Sequence, residues 1–119
     1  MKFTKEHEWA KLDGNVVTVG ITDYAAHQLG DVVFVELPAK GSKLSMGKTF
    51  GTIESVKTVS DMYAPVSGEV VETNGELEGN PALVNESPMD AGWIVKIKVA
   101  DSKEYDTLLS EADYKKICE

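Results

Sequence analysis

No strand-forming run in this chain is long, and that limits its architecture more than any other feature. Four runs stand out: Val16-Val17-Thr18-Val19-Gly20-Ile21, Val32-Val33-Phe34-Val35-Glu36-Leu37, Glu69-Val70-Val71-Glu72-Thr73 and Ile94-Val95-Lys96-Ile97-Lys98-Val99. Each is rich in β-branched residues, which suit a pleated surface, and each is flanked by glycine, proline, asparagine or aspartate. The last alternates from Ile94 onward, as a half-buried strand does. Helical signals are short and lie between or after the strands. Thr22 or Asp23 caps a helix that ends at Gly30. Asp101-Ser102-Lys103-Glu104 and Ser110-Glu111-Ala112-Asp113 fit capping boxes opening two C-terminal helices. Residues 76–90, with their Gly, Asn and Pro clusters, read as loop with one helical turn. The expected fold is mainly β: a small β-sandwich or flattened barrel with short peripheral helices, in one domain over residues 1–119.

The most distinctive stretch is a hairpin over about residues 50–65. Ile53 and Val56 precede Lys57 and Val59 follows it, which reads as two strands meeting at a tight turn. No Asn-Gly pair marks that turn. A type I turn over Val56-Lys57-Thr58-Val59 fits, because type I tolerates most residues. Lys57 then projects into water from a rigid two-stranded support. Glu54 lies three residues before it and Asp61 four after, placed to flank the tip. Pattern alone leaves two readings of Lys57 open, a solubilising residue or a functional amine.

The composition removes several function classes. The formal net charge is −8, and all 12 basic residues are lysine. Bidentate readout of phosphate or guanine relies on arginine and clustered positive charge, so no nucleic-acid role is expected. No apolar run approaches membrane-spanning length. The first residues carry neither a secretory apolar stretch nor an Arg- and Ser-rich transit pattern, so a cytoplasmic protein is expected. Cys118 is the one cysteine and excludes an internal disulfide. His7-Glu8 does not begin a His-Glu-x-x-His motif, because position 11 is lysine, and two histidines with one cysteine predict no metal site. Trp9 and Trp93 read as core aromatics.

Glu54-Ser55-Val56-Lys57, then Ser60-Asp61 and Tyr63-Ala64-Pro65-Val66-Ser67-Gly68-Glu69-Val70-Val71, resembles the lipoylation segment of the glycine cleavage system H proteins. The likeness extends along the chain. Thr4-Lys5-Glu6-His7-Glu8-Trp9 resembles the family's opening segment, and Val19-Gly20-Ile21-Thr22-Asp23 with Leu29-Gly30-Asp31-Val32-Val33-Phe34-Val35-Glu36-Leu37-Pro38 its first helix and central strand. Pro81-Ala82-Leu83-Val84-Asn85, Ser87-Pro88 and Gly92-Trp93 with Lys96-Ile97-Lys98 resemble its C-terminal half. The resemblance implies a lipoyl/biotinyl-carrier fold and a monomer that is a carrier, not an enzyme. It implies lipoate in amide linkage on Lys57, Glu54 and Asp61 as recognition acids for a lipoate ligase or lipoyl/octanoyl transferase, and Glu8 and Asp61 beside a cleft that shelters the loaded arm. It further implies three partners in glycine catabolism and one-carbon metabolism. Glycine decarboxylase, the P protein, loads an aminomethyl group on the arm. Aminomethyltransferase, the T protein, passes the methylene to tetrahydrofolate. Dihydrolipoamide dehydrogenase, the L protein, reoxidises the dithiol. Two positions depart from the family pattern: Tyr24 stands where histidine is common, and Met89 where tyrosine is.

Other readings are weaker on specific residues. A biotin carrier places methionine on both sides of its lysine, where this chain has Val56 and Thr58. A lysine-dependent enzyme needs a desolvated amine, which a hairpin tip does not supply. An H-like lipoyl relay, or an unmodified H-like binding module, remains as the alternative.

Overall fold

The strand-forming runs pair into two sheets. The computed structural model describes residues 1–118; Glu119 lies outside the described residues. In chain order the strands are β1 (Lys2–Phe3), β2 (Glu8–Asp13), β3 (Val16–Ile21), β4 (Val32–Glu36), β5 (Lys43–Leu44), β6 (Thr49–Ser55), β7 (Val59–Tyr63), β8 (Gly68–Thr73) and β9 (Val95–Val99). The helices are α1 (Asp23–Leu29), α2 (Glu76–Gly79), α3 (Leu83–Glu86), α4 (Lys103–Asp106) and α5 (Glu111–Cys118). One sheet runs β1-β2-β3-β9-β8-β5 and the other β4-β6-β7, with every pairing antiparallel. Ala10, Val17, Val19 and Ile97 from the larger sheet meet Val35, Ile53 and Met62 from the smaller in one core, closed by Leu77 and Val84 of α2 and α3. This is the expected mainly β sandwich with peripheral helices. No helix among the described residues is long and apolar enough to cross a membrane.

Contacts across the fold decide several local features. The opening segment doubles back on itself. Phe3 pairs with Trp9 across a turn in which the His7 N–H donates to the Thr4 carbonyl (3.1 Å) and His7 takes φ 73°. Gly68 sits in β8 between Leu44 and Val99. A β-carbon at Gly68 would fall on the Lys98 carbonyl oxygen, so glycine is there for close strand approach rather than for turning. The polar residues after Gly41 include the short strand β5, which caps that sheet edge. Asn74-Gly75 opens α2, with Gly75 at its N-cap. Asn74 is buried and its Nδ2 donates to the carbonyls of Ala91 (3.0 Å) and Trp93 (2.8 Å). Glu104 does not close a capping box. Its carboxylate accepts from the Ser67 N–H (2.8 Å) and hydroxyl (3.1 Å), pinning the segment between β7 and β8. Ser110 does cap α5, accepting from the Asp113 N–H at 3.2 Å.

Trp9 and Gly20 face each other across β2 and β3. The indole is 2% exposed, donates to the Pro88 carbonyl at 2.8 Å and fills the space that a side chain at Gly20 would take. A β-carbon at Gly20 would lie 2.6 Å from the ring. Gly20→Ala is therefore expected to cost about 1–3 kcal/mol by overpacking, read as a lower urea midpoint with altered near-ultraviolet tryptophan dichroism. An unchanged midpoint would show that the indole has room to move.

Candidate functional site

Lys57 stands at the tip where β6 and β7 meet, and its side chain is exposed. The tip is built one residue earlier than the sequence suggested. Glu54 pairs with Val59, and the Ser55 N–H donates to the Thr58 carbonyl at 2.8 Å, so Val56 and Lys57 are the two loop residues. The cause is Ser55. Its hydroxyl is buried under the loop, accepts from the Thr58 N–H (3.1 Å) and the Lys57 N–H (3.4 Å), and donates back to the Thr58 carbonyl (3.2 Å). A serine hydroxyl that serves the backbone in this way replaces the Asn-Gly chemistry a tight hairpin ordinarily needs. Ser55→Ala leaves the Thr58 N–H without that acceptor. The expected cost is about 1–2 kcal/mol in urea unfolding, with a more mobile Lys57 backbone by amide relaxation. Native-like order at the tip would assign Ser55 to packing alone.

The tip also rests on the loop after α1. The Val56 N–H donates to the Asp31 carbonyl at 3.0 Å. The Lys57 stem crosses Gly30, where a β-carbon would lie 3.3 Å from Cε, and Gly30 itself has φ 76°, which glycine adopts at least cost. Asn85 of α3 clamps this loop from behind, its Nδ2 donating to the Gly30 carbonyl (2.7 Å) and its Oδ1 accepting from the Val32 N–H (2.8 Å). The amine thus leaves from a support fixed on two sides.

Beside the tip a cleft of about 410 Å³ runs between α1 and the edge strand β7. Thr58 and Val59 lie at the tip end, and Glu6, His7 and Glu8 at the other. Ile21, Ala25, Leu29, Ile53 and Met62 supply apolar walls. Glu8 is 2% exposed. Its carboxyl accepts from the Thr4 hydroxyl (2.6 Å) and the Tyr63 N–H (3.3 Å). Burial pushes its pKa up to about 7, against the pull of those two hydrogen bonds. Asp61 lines the same cleft but is exposed, with its backbone paired to Thr52. The cleft therefore brings Glu8 and Asp61 together, one acid buried and one at the rim. Glu54 and Asp61 stand on the two opposing strands of the hairpin, β6 and β7. They lie on one outward face, diagonal across β6 and β7, and Glu54 does not line the cleft.

Tyr24 lines the cleft wall and packs on His7, ring centroids 4.8 Å apart. The Tyr114 hydroxyl lies 2.7 Å from both His7 Nδ1 and Thr22 Oγ1, so α5 locks the turn that carries Glu8 to the N-cap of α1. Burial lowers the His7 pKa and raises that of Tyr114. Met89 joins Phe3, Trp9 and Tyr114 in a small apolar cluster, with Cys118 and Trp93 packed against it. Trp9 and Trp93 are packing residues here, not an open platform.

A family model described as "Glycine cleavage H-protein" matches residues 1–119. The chain belongs to the glycine cleavage H-protein family. The H protein of Staphylococcus haemolyticus is 56% identical over 117 residues, covering 98% of this chain and 93% of that one. That of Carboxydothermus hydrogenoformans is 52% identical over 119 residues, covering 100% and 92%. The crystal structure of the H protein from Mycobacterium marinum has a TM-score of 0.86 at 38% identity, covering 97% of this chain and 93% of that one. A member of this family is the carrier component of a multi-enzyme system and not itself a catalyst; the family carries lipoate. Ser55 and Asn85 were not singled out by sequence reasoning. Ser55 lies in Glu54-Ser55-Val56-Lys57 and Asn85 in Pro81-Ala82-Leu83-Val84-Asn85, but neither motif says which donors and acceptors its polar residue meets.

Proposed function

We propose that residues 1–119 act as one lipoyl-carrier domain of the glycine cleavage system, with lipoate attached through an amide to Lys57. The observation that carries this reading is an exposed amine on a doubly braced hairpin tip, opening onto a cleft whose far end holds a buried carboxyl. The site suits the group: apolar walls match an alkyl arm, and Glu8 with Asp61 match a cationic end. When bound, lipoate would supply a dithiolane able to carry an aminomethyl unit and to cycle between disulfide and dithiol, the chemistry on which the P, T and L proteins would act.

This chain's own residues position and protect. Lys57 offers the amine and loses its charge on acylation, while Ser55, Gly30 and Asn85 hold the tip still. Ile21, Leu29 and Met62 keep water from the arm, and the two acids hold its amine by charge-assisted hydrogen bonds. Glu54 and Asp61 present an acidic face to the lipoate ligase or lipoyl/octanoyl transferase. The testing experiment incubates the native chain with a lipoate ligase, lipoate and ATP, measures intact mass, then follows NADH-dependent reduction by dihydrolipoamide dehydrogenase. One lipoyl increment that becomes reducible supports the carrier reading. An unmodified chain would favour the H-like binding module.

A further inference from the structure

The smaller sheet leaves its outward face uncovered, and that face is apolar where it meets the lysine tip. Val32, Val35, Ile53, Ser55 and Met62 point inward and are buried. On the outward side Phe34, Glu54 and Val59 form one cross-strand row, and Glu36, Thr52 and Asp61 the next. Phe34 is 52% exposed and Val59 63%. A bulge between Val32 and Phe34 turns Val33 outward as well, and Val56 stands beside Lys57 at the tip. These four are half of the eight large apolar side chains exposed among the described residues, so the clustering is not the ordinary scatter of a surface. Glu36, Glu54 and Asp61 belong to none of the three ion pairs among the described residues.

We propose that this face, Phe34 and Val59 with Val33, Val56 and the acids Glu36 and Glu54, is the docking surface for the enzyme that acylates Lys57, a partner with an apolar seat rimmed by cationic side chains. The inference rests on the reading of Lys57 as the attachment site. Two arguments select this occupant. An enzyme acting on the far end of a long arm need not cover its root, whereas one that forms the amide must bring an activated carboxyl to Nζ itself, beside Val56 and Val59. The chain also offers 12 lysines, and a ligase that read only an exposed amine would not distinguish them. An apolar patch supplies affinity and the unpaired carboxylates supply orientation and encounter rate. The contact is transient, which suits a patch small enough to stay exposed afterwards.

The test uses the full chain, lipoate–protein ligase, lipoate and ATP. Phe34→Ser and Val59→Ser, singly and together, are compared with Met46→Ser, an exposed apolar residue outside the patch. Rates of lipoyl incorporation are read by intact mass and ligase affinity by calorimetry; urea unfolding and the reactivity of Lys57 toward acetic anhydride check the fold and the tip. Each single change should raise KM and Kd by about tenfold with kcat held within about twofold, and the double more. Met46→Ser should stay within about twofold of native. Glu36→Lys, on an exposed strand position, should raise KM without touching the apolar seat. Increments formed at native KM by all patch variants overturn the docking face alone. No increment on the native chain overturns the attachment reading and this proposal with it.

Discussion

Lys57→Arg should take no lipoyl group at all. Under conditions that fully modify the native chain, its intact mass should stay that of the bare polypeptide, while its unfolding midpoint stays within about 0.5 kcal/mol of native. Arginine separates chemistry from architecture. It keeps the positive charge and an aliphatic stem to lie across Gly30, but its guanidinium stays protonated and offers no nucleophilic amine. A second variant tests whether position matters as well as identity. Lys57→Thr with Thr58→Lys moves the amine by one residue, out of the two-residue loop and onto the position whose carbonyl accepts from the Ser55 N–H. Consecutive strand residues point to opposite faces, so the shifted amine should leave the tip in another direction. We expect at least about a tenfold loss in kcat/KM for modification, the usual order for an interaction that fixes geometry. Full modification of Lys57→Arg at another lysine would displace the assignment. Equal rates for the shifted lysine would leave the amine assigned but the turn without a role.

The strands were legible because β-branched runs between turn residues have few other ways to bury their side chains. Val16–Ile21 is a strand over its whole predicted length. Lys57 was legible as a tip because residues of opposite strands flank it. What the pattern did not carry was the identity of hydrogen-bond partners across the fold. The turn register came out one residue off because a side-chain hydroxyl, not a backbone carbonyl, accepts the Thr58 N–H. Gly68 and Glu104 show this: each residue type has a typical local role, in a turn or a capping box, and each is used instead for a contact 30 or more residues away. Gly68 gives way to Lys98, and Glu104 reaches Ser67. The resemblance implies Glu8 as a cleft acid, but nothing local to Glu6-His7-Glu8 states that it is buried. That follows only once β7 brings the Tyr63 N–H over it and Tyr114 braces the His7 turn.

That burial gives the second large effect, a pH dependence of stability. A Glu8 pKa raised from 4.5 to about 7 means that between these values the folded chain holds a proton which the unfolded chain has released. Stability due to this group is thus fully present below about 4.5, falls as pH rises through 7, and is lost above it. The shift corresponds to about 3 kcal/mol at the upper end. Glu8→Gln does not titrate. It keeps an oxygen for the Thr4 hydroxyl, while its amide group faces the Tyr63 N–H less well, which sets a fixed cost at all pH. The difference in unfolding free energy between variant and native should therefore move in the variant's favour by about 3 kcal/mol from pH 4 to pH 8, by urea titration. Parallel profiles would mean that Glu8 ionises as freely folded as unfolded. The same change should act in the opposite sense on the loaded carrier. On the carrier reading, a cationic amine in the cleft supplies the charge partner that Glu8 lacks among its hydrogen-bond donors, drawing the carboxyl to its ionised form. Glutamine cannot respond so. The variant should lose less stability than native as pH rises yet be the poorer shelter, with faster hydrolytic loss of the arm's amine at neutral pH. An acid kept at a cost in the empty cleft is what a transient cationic cargo requires.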